Sequence, residues 1–184
     1  FGLRGIGGKL EAIKYSRLNN IPFFGICLGM QLAVIEIAQN LLKIKNANSS
    51  EFKNTSKSVV GLMTEWIKGN SIEKRNVNSD KGGTMRLGSY KAKLKKNTKI
   101  YSIYKKSEIF ERHRHRYEVN EKYIKRFNDK GFVFSGMSPN GILPEVLESK
   151  NHPWFIGVQF HPELKSRPLS PHPLFVSFIK SCLK

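Results

Sequence analysis

A strand-length apolar run, Ile21-Pro22-Phe23-Phe24-Gly25-Ile26, ends in Gly25-Ile26-Cys27-Leu28-Gly29, and a long apolar segment follows at once. Few chain paths accommodate that order. A strand that stops at a cysteine and resumes as a helix needs a sharp turn with the cysteine at its apex, the cysteine form of a nucleophile elbow. Glycines two residues before and after would remove Cβ atoms that crowd such a turn. The thiol then stands at the positive end of a helix, which favours thiolate. The Leu28 N–H faces the same space, where it can stabilise an oxyanion. The same five residues also fit a buried structural cysteine packed through its glycines.

The surrounding sequence decides the fold class. Leu10, Ala12, Ile13 and Leu18 recur at helical intervals over 9–18, and Asn19-Asn20 reads as a turn. Residues 29–42 form a helix apolar on most sides, hence buried. Helix, strand and helix in succession imply an α/β fold: a mostly parallel central sheet with helices on both faces. Further strands are expected at 59–63, 85–94, 131–136, 142–148 and 154–160, with helices at 123–128 and 174–180. Pro144 cannot donate to a ladder, so its strand is expected at an edge. Residues 69–80 read as an exposed loop. At 184 residues the chain suits one domain spanning 1–184. It opens on Phe1 without an initiator Met or signal-peptide pattern, and is read as part of a longer protein.

The net charge of +18 raises nucleic acid as a partner. The lysines are scattered among Asn, Ser and Ile, and no nucleic-acid-binding signature organises them, so they read as solvated faces. No apolar run approaches the ~20 residues of a membrane span. The two cysteines, Cys27 and Cys182, lack Cys/His ligand spacing, so no metal site is expected and a reducing, cytoplasmic setting fits. Cys182 is expected as a packed small hydrophobe.

A thiol nucleophile needs a proton shuttle. Of His113, His115, His152, His161 and His172, only His161 directly follows a strong strand, in Val158-Gln159-Phe160-His161-Pro162-Glu163. The C-terminal end of a parallel strand faces the crevice where α/β proteins place their sites. In an extended segment i and i+2 share a side, so Glu163 can orient His161 toward Cys27. Read alone, His161-Pro162-Glu163 is equally a polar turn.

Together these elements resemble the class I (triad) glutamine amidotransferases. Gly25-Ile26-Cys27-Leu28-Gly29-Met30-Gln31 matches the nucleophile motif, and His161-Pro162-Glu163 the His-Pro-Glu motif. Ala47-Asn48-Ser49-Ser50-Glu51-Phe52, Gly82-Gly83-Thr84-Met85-Arg86-Leu87-Gly88, Glu111 to Asn120, His152-Pro153-Trp154-Phe155 and Ser166-Arg167-Pro168 narrow the resemblance to the CTP synthase branch, over nearly the whole chain. The resemblance implies a flavodoxin-like glutaminase domain with Cys27, His161 and Glu163 as catalytic residues. It implies glutamine contacts at Phe1, Leu28, Gly29, Met30, Gln31, Glu51 and Arg116. It also implies ammonia delivery for ATP-dependent amination of UTP to CTP. The partners it implies are L-glutamine, an N-terminal synthetase domain of the same polypeptide that holds ATP and magnesium, and a homotetramer. GTP is the implied activator, with Arg4 and the 111–118 cluster as its neighbours. No cofactor is implied in this domain itself.

From the residues alone, Glu51 is a solvated carboxylate and 111–118 a basic face. The family's Pro-Gly-Gly, one of whose glycines supplies an oxyanion donor, would precede Phe1. Lys74 to Lys81 reads as an insertion with no assigned role. A Cys-His peptidase or γ-glutamyl hydrolase, and a non-enzymatic basic binding module, stand as alternatives.

Overall fold

The computed structural model describes residues 3–53, 57–62, 65–68, 71–74 and 85–183, with the backbone course at 65–68 and 71–74. The apolar segments fold in the expected order: α1 (Ile6–Leu18), β1 (Phe23–Ile26) and α2 (Leu28–Asn40). β2 (Asn48–Ser49), β3 (Ser58–Leu62), β4 (Glu65–Lys68), β5 (Ser71–Lys74) and β6 (Arg86–Leu94) follow. Next come α3 (Lys99–Tyr104), β7 (Glu108–His115), β8 (Tyr117–Val119) and α4 (Ile124–Asn128). β9 (Phe132–Met137), β10 (Pro144–Ser149), β11 (Phe155–Val158) and α5 (Pro173–Cys182) complete the chain.

The main sheet runs β1-β11-β10-β9-β6-β7. The α/β class holds, but the sheet is mixed. β1 and β11 are parallel, with Ile26 opposite Val158, while β11/β10, β10/β9, β9/β6 and β6/β7 are antiparallel. The reason is connection length. The links at 138–143 and 150–154 can only reverse the chain, whereas parallel neighbours need a crossover of a dozen residues or more. Pro144 is not on an edge strand. It opens β10, an interior strand, beside a register shift, where its missing N–H breaks no regular ladder. Residues 71–74, read as loop, pair antiparallel with β4 as a small hairpin. Met63 and residues 75–84, which include the Lys74–Lys81 segment beyond Lys74 and Gly82-Gly83-Thr84, lie outside the described residues.

Strand alternation sends side chains to both faces. Phe155 and Leu147 join one cluster with Ile13, the buried apolar side chains of α2, and Phe127 of α4. Ile156, Val158 and Val146 join the other, with Ile100 of α3 and Leu174 of α5. Helices thus cover both faces, as expected. Every residue from Met30 to Ala38 is buried, which accounts for a helix apolar on nearly all sides. Among these only Gln31 and Glu36 are polar. Glu36 takes a bidentate ion pair from Arg17 of α1 at 2.7 and 2.8 Å, pinning the two helices together. Cys182 is exposed rather than packed, because α5 turns its last residues away from the core. No helix among the described residues is long and apolar enough to cross a membrane.

Candidate active site

Cys27 occupies a true elbow. Its φ of 51° is strained for a residue bearing a Cβ. Its N–H extends the β11 ladder by donating to the Val158 carbonyl at 2.7 Å, while its own carbonyl accepts from the Gln31 N–H at 3.2 Å and starts α2. Gly25 is required at the inner side of this turn: a Cβ there would lie 2.7 Å from the Gly29 carbonyl carbon. Gly29 is different from expectation. A Cβ on it would meet nothing within 4 Å, so it faces open space rather than relieving a clash.

The expected thiolate is also corrected. Burial pushes the Cys27 thiol up to about 11; Glu118, Glu163 and Glu51 add to the rise, and the Leu28 N–H opposes it. Desolvation outweighs the helix end, so the resting group is a thiol that needs a base. The thiol donates to the Arg114 carbonyl at 4.0 Å.

His161 supplies the base geometry. Its Nδ1 lies 2.6 Å from Glu163 Oε1, so Nδ1–H donates to the carboxylate and Nε2 keeps its lone pair. Nε2 is buried and has no hydrogen-bond partner. Pro162 opens a short 3₁₀ turn, Pro162–Leu164, that carries Glu163 back beside the imidazole. Cys27 follows β1 and His161 lies just past the adjacent end of parallel β11. Both then meet β7, because the sheet curls: the Cys27 thiol bonds the Arg114 carbonyl, and the His161 N–H bonds the Arg112 carbonyl at 2.8 Å. Those carbonyls are two residues apart, about 7 Å along a strand. Cys27 and His161 thus dock on the same strand.

The stretch read as a basic face splits by strand period. Arg112 and Arg114 point outward, while Glu111, His113 and His115 are buried. His113 Nδ1 and His115 Nε2 are 2.8 Å apart, and His115 Nδ1 approaches the Tyr117 carbonyl at 3.2 Å. Arg86 of β6 pairs with Glu145 of β10 at 2.8 Å and Glu118 of β8 at 3.4 Å. Burial raises the Glu118 and Glu145 carboxyls above their ordinary range, while Arg86 pulls them back. Burial and Arg86 push both imidazoles down, His115 to about 3, so the pair stays neutral. This cluster ties β6, β7, β8 and β10 together behind Cys27. Strict alternation in Glu111-Arg112-His113-Arg114-His115 was the signal that could have revealed it.

The residues assigned to glutamine by resemblance fall in three groups. Leu28 and Gly29 open α2 beside Cys27, and the Leu28 N–H faces the sulfur. Glu51 follows β2 and is exposed, as the residues alone suggested, yet it lies close enough to raise both Cys27 and Tyr117, and desolvation raises its own carboxyl. Arg116 occupies the bend between β7 and β8. Met30 and Gln31 face inward instead. Met30 is fully buried, with its Cγ 3.0 Å from where a Gly157 Cβ would stand. Gln31 donates its amide to the Tyr117 carbonyl and to Gln159. Phe1 lies outside the described residues. Sequence reasoning missed Gln159, whose Nε2 donates to Cys27 Sγ at 3.8 Å.

With this geometry in hand, comparison with known proteins is specific. The family described as Glutamine amidotransferase class-I matches residues 1–181. The chain belongs to the class-I glutamine amidotransferase family. Among curated amidotransferases, the CTP synthase of Agrobacterium fabrum is 61% identical over 184 residues, 100% of this chain and 34% of its own length. The chain thus spans about a third of the curated relatives it matches. Among solved structures, the glutaminase domain of a Trypanosoma brucei CTPS with bound acivicin is 36% identical, with a TM-score of 0.87 over 100% of this chain and 68% of that chain. A glutamine amidotransferase of Thermotoga maritima shares the fold alone, at 16% identity and TM-score 0.51, covering 88% of this chain and 49% of that one.

Proposed function

We propose that this chain is the glutamine-hydrolysing part of a CTP synthase, with Cys27, His161 and Glu163 as its triad. The observation that carries the reading is the His161 imidazole, held by Glu163 at 2.6 Å with a buried, unpartnered Nε2 at the strand ends where the Cys27 elbow lies. His161 Nε2 takes the thiol proton as Sγ attacks the side-chain amide carbon of L-glutamine. The oxyanion rests on the Leu28 N–H and a second donor outside the described residues. The imidazolium gives its proton to the departing nitrogen, and ammonia leaves. Water, deprotonated by His161, then attacks the glutamyl thioester; glutamate departs and the thiol is restored.

Glu51 is the natural partner for the glutamine ammonium and Arg116 for its carboxylate, each a charge-assisted contact. Leu28, Gly29, Met30 and Gln31 line that pocket mainly through backbone. Amination of UTP with ATP and magnesium falls to the other two thirds of the polypeptide, in a cytoplasmic homotetramer. GTP acts as activator near Arg4 and the outward arginines of β7. Identity to curated CTP synthases near 60% over the full chain supports this reading.

The test is glutamate release from L-glutamine by the chain expressed with the rest of its polypeptide. Cys27→Ala removes it, and Glu163→Gln lowers it by about a hundredfold or more by losing the imidazole orientation. Release that survives Cys27→Ala, or cleavage of γ-glutamyl peptides in preference to free glutamine, overturns the reading.

A further inference from the structure

Two buried amides connect the β7–β8 bend to the thiol, and their direction is fixed. The Tyr117 carbonyl can only accept, so it turns the NH2 of Gln31 toward itself, at 2.9 Å. The same nitrogen donates to Gln159 Oε1 at 3.2 Å. With its oxygen engaged, Gln159 must present its own NH2 to Cys27 Sγ, at 3.8 Å. Gln159 is 0% exposed and Gln31 3%, so water does not compete for these positions. The Gln159 backbone is fixed as well, its N–H donating to the Glu145 carbonyl at 2.9 Å.

We propose that Gln159 is a hydrogen-bond donor to the nucleophilic sulfur, and that Gln31 is a positioning residue that keeps Gln159 in the donating orientation. The inference rests on Cys27 as nucleophile. Its need follows from the charges that face the sulfur. Glu118 from β8, Glu163 after β11 and Glu51 after β2 all oppose a negative sulfur, and the Leu28 N–H favours one. His161 takes the proton but leaves the anion to be held. Gln159 adds a second N–H without adding charge, and an N–H donated to an anion is among the stronger hydrogen bonds.

The test is the rate of Cys27 alkylation by iodoacetamide between pH 6 and 9, in a Cys182→Ser background. Iodoacetamide requires no glutamine, so failure of glutaminase activity and failure of this proposal read out separately. Gln159→Leu lowers the rate about tenfold, as one unit of thiol pKa would. Gln31→Leu lowers it less. Gln159→Glu keeps the shape and still accepts from Gln31. Its protonated carboxyl can donate to sulfur and its ionised form cannot, so its rate falls progressively behind the unmutated protein as pH rises. If Gln159→Leu does not fold, the isosteric Glu variant decides alone. A Leu variant within twofold of the unmutated rate, or a Glu variant whose ratio to it stays constant across pH, overturns the proposal; constancy is what mere packing would give.

Discussion

At the scale of residues, two opposing effects meet at Cys27. A helix N-terminus favours a negative sulfur, yet burial and three nearby carboxylates push the thiol up to about 11. The magnitudes decide it: a helix end contributes up to ~2 kcal/mol, and burial of an ionisable group reaches several pKa units. Cys27 therefore rests as a thiol. The elbow that presents it depends on Gly25. An added methyl would meet the Gly29 backbone at 2.7 Å, and backbone cannot swing aside. Gly25→Ala is expected to destabilise the chain by about 1–3 kcal/mol in urea unfolding and to lower glutamate release by displacing Cys27. Unchanged values of both would show that β1 and α2 can separate without cost. Much of this was legible in Gly-x-Cys-x-Gly and His-Pro-Glu, because chemistry at a sharp turn restricts residue type. The part played by Gly29 was not legible, because open space leaves no mark on composition. Gln159 was hidden for a related reason: a glutamine in an apolar strand shows no partner until the fold brings Gln31 and Cys27 to it.

Between elements, α1 and α2 are joined by an ion pair that the sequence did not announce. Arg17 and Glu36 are ordinary helix residues in the alphabet of periodicity, and only packing brings them within 2.7 Å. Glu36 is fully buried while the Arg17 side chain is 13% exposed, so loss of Arg17 strands a charge. Arg17→Met is expected to cost about 3–5 kcal/mol in chemical denaturation, while Arg17→Met with Glu36→Leu recovers much of that loss. A single variant no worse than the double would mean that Glu36 finds a proton or another partner. In β6 alternation was legible at the far end, with Ala92 and Leu94 inward and Lys93 outward, but it misled at the start, where Arg86 is buried by its carboxylate partners and Leu87 is exposed. Composition misled on β7, where arginines suggested a solvated face and period two places the intervening histidines inside. Pro144 misled because edge strands are only one refuge for proline; the start of a strand beside a bulge is another.

In the molecule as a whole, the buried ionic cluster behind the site shapes the response to pH. The folded chain keeps His115 neutral down to about 3, whereas an unfolded chain takes the proton near 6.5. The folded pKa is depressed, so this contribution is complete above 6.5 and is lost as pH falls from 6.5 toward 3. His115→Asn is expected to reduce the slope of unfolding free energy against pH in that window by up to about 1.4 kcal/mol per pH unit. Parallel slopes for both proteins would show that His115 titrates normally in the folded state. The same cluster links β6, β8 and β10, while contacts with the β7 carbonyls set the placement of Cys27 and His161 at the ends of β1 and β11. That placement is tested most directly by exposing the chain to acivicin, the ligand of the Trypanosoma brucei relative, and measuring intact mass with and without excess glutamine. The account predicts a single adduct on Cys27 that glutamine blocks and glutamate does not. Equal labelling of Cys27 and Cys182 that ignores glutamine, or no label on Cys27, would contradict it.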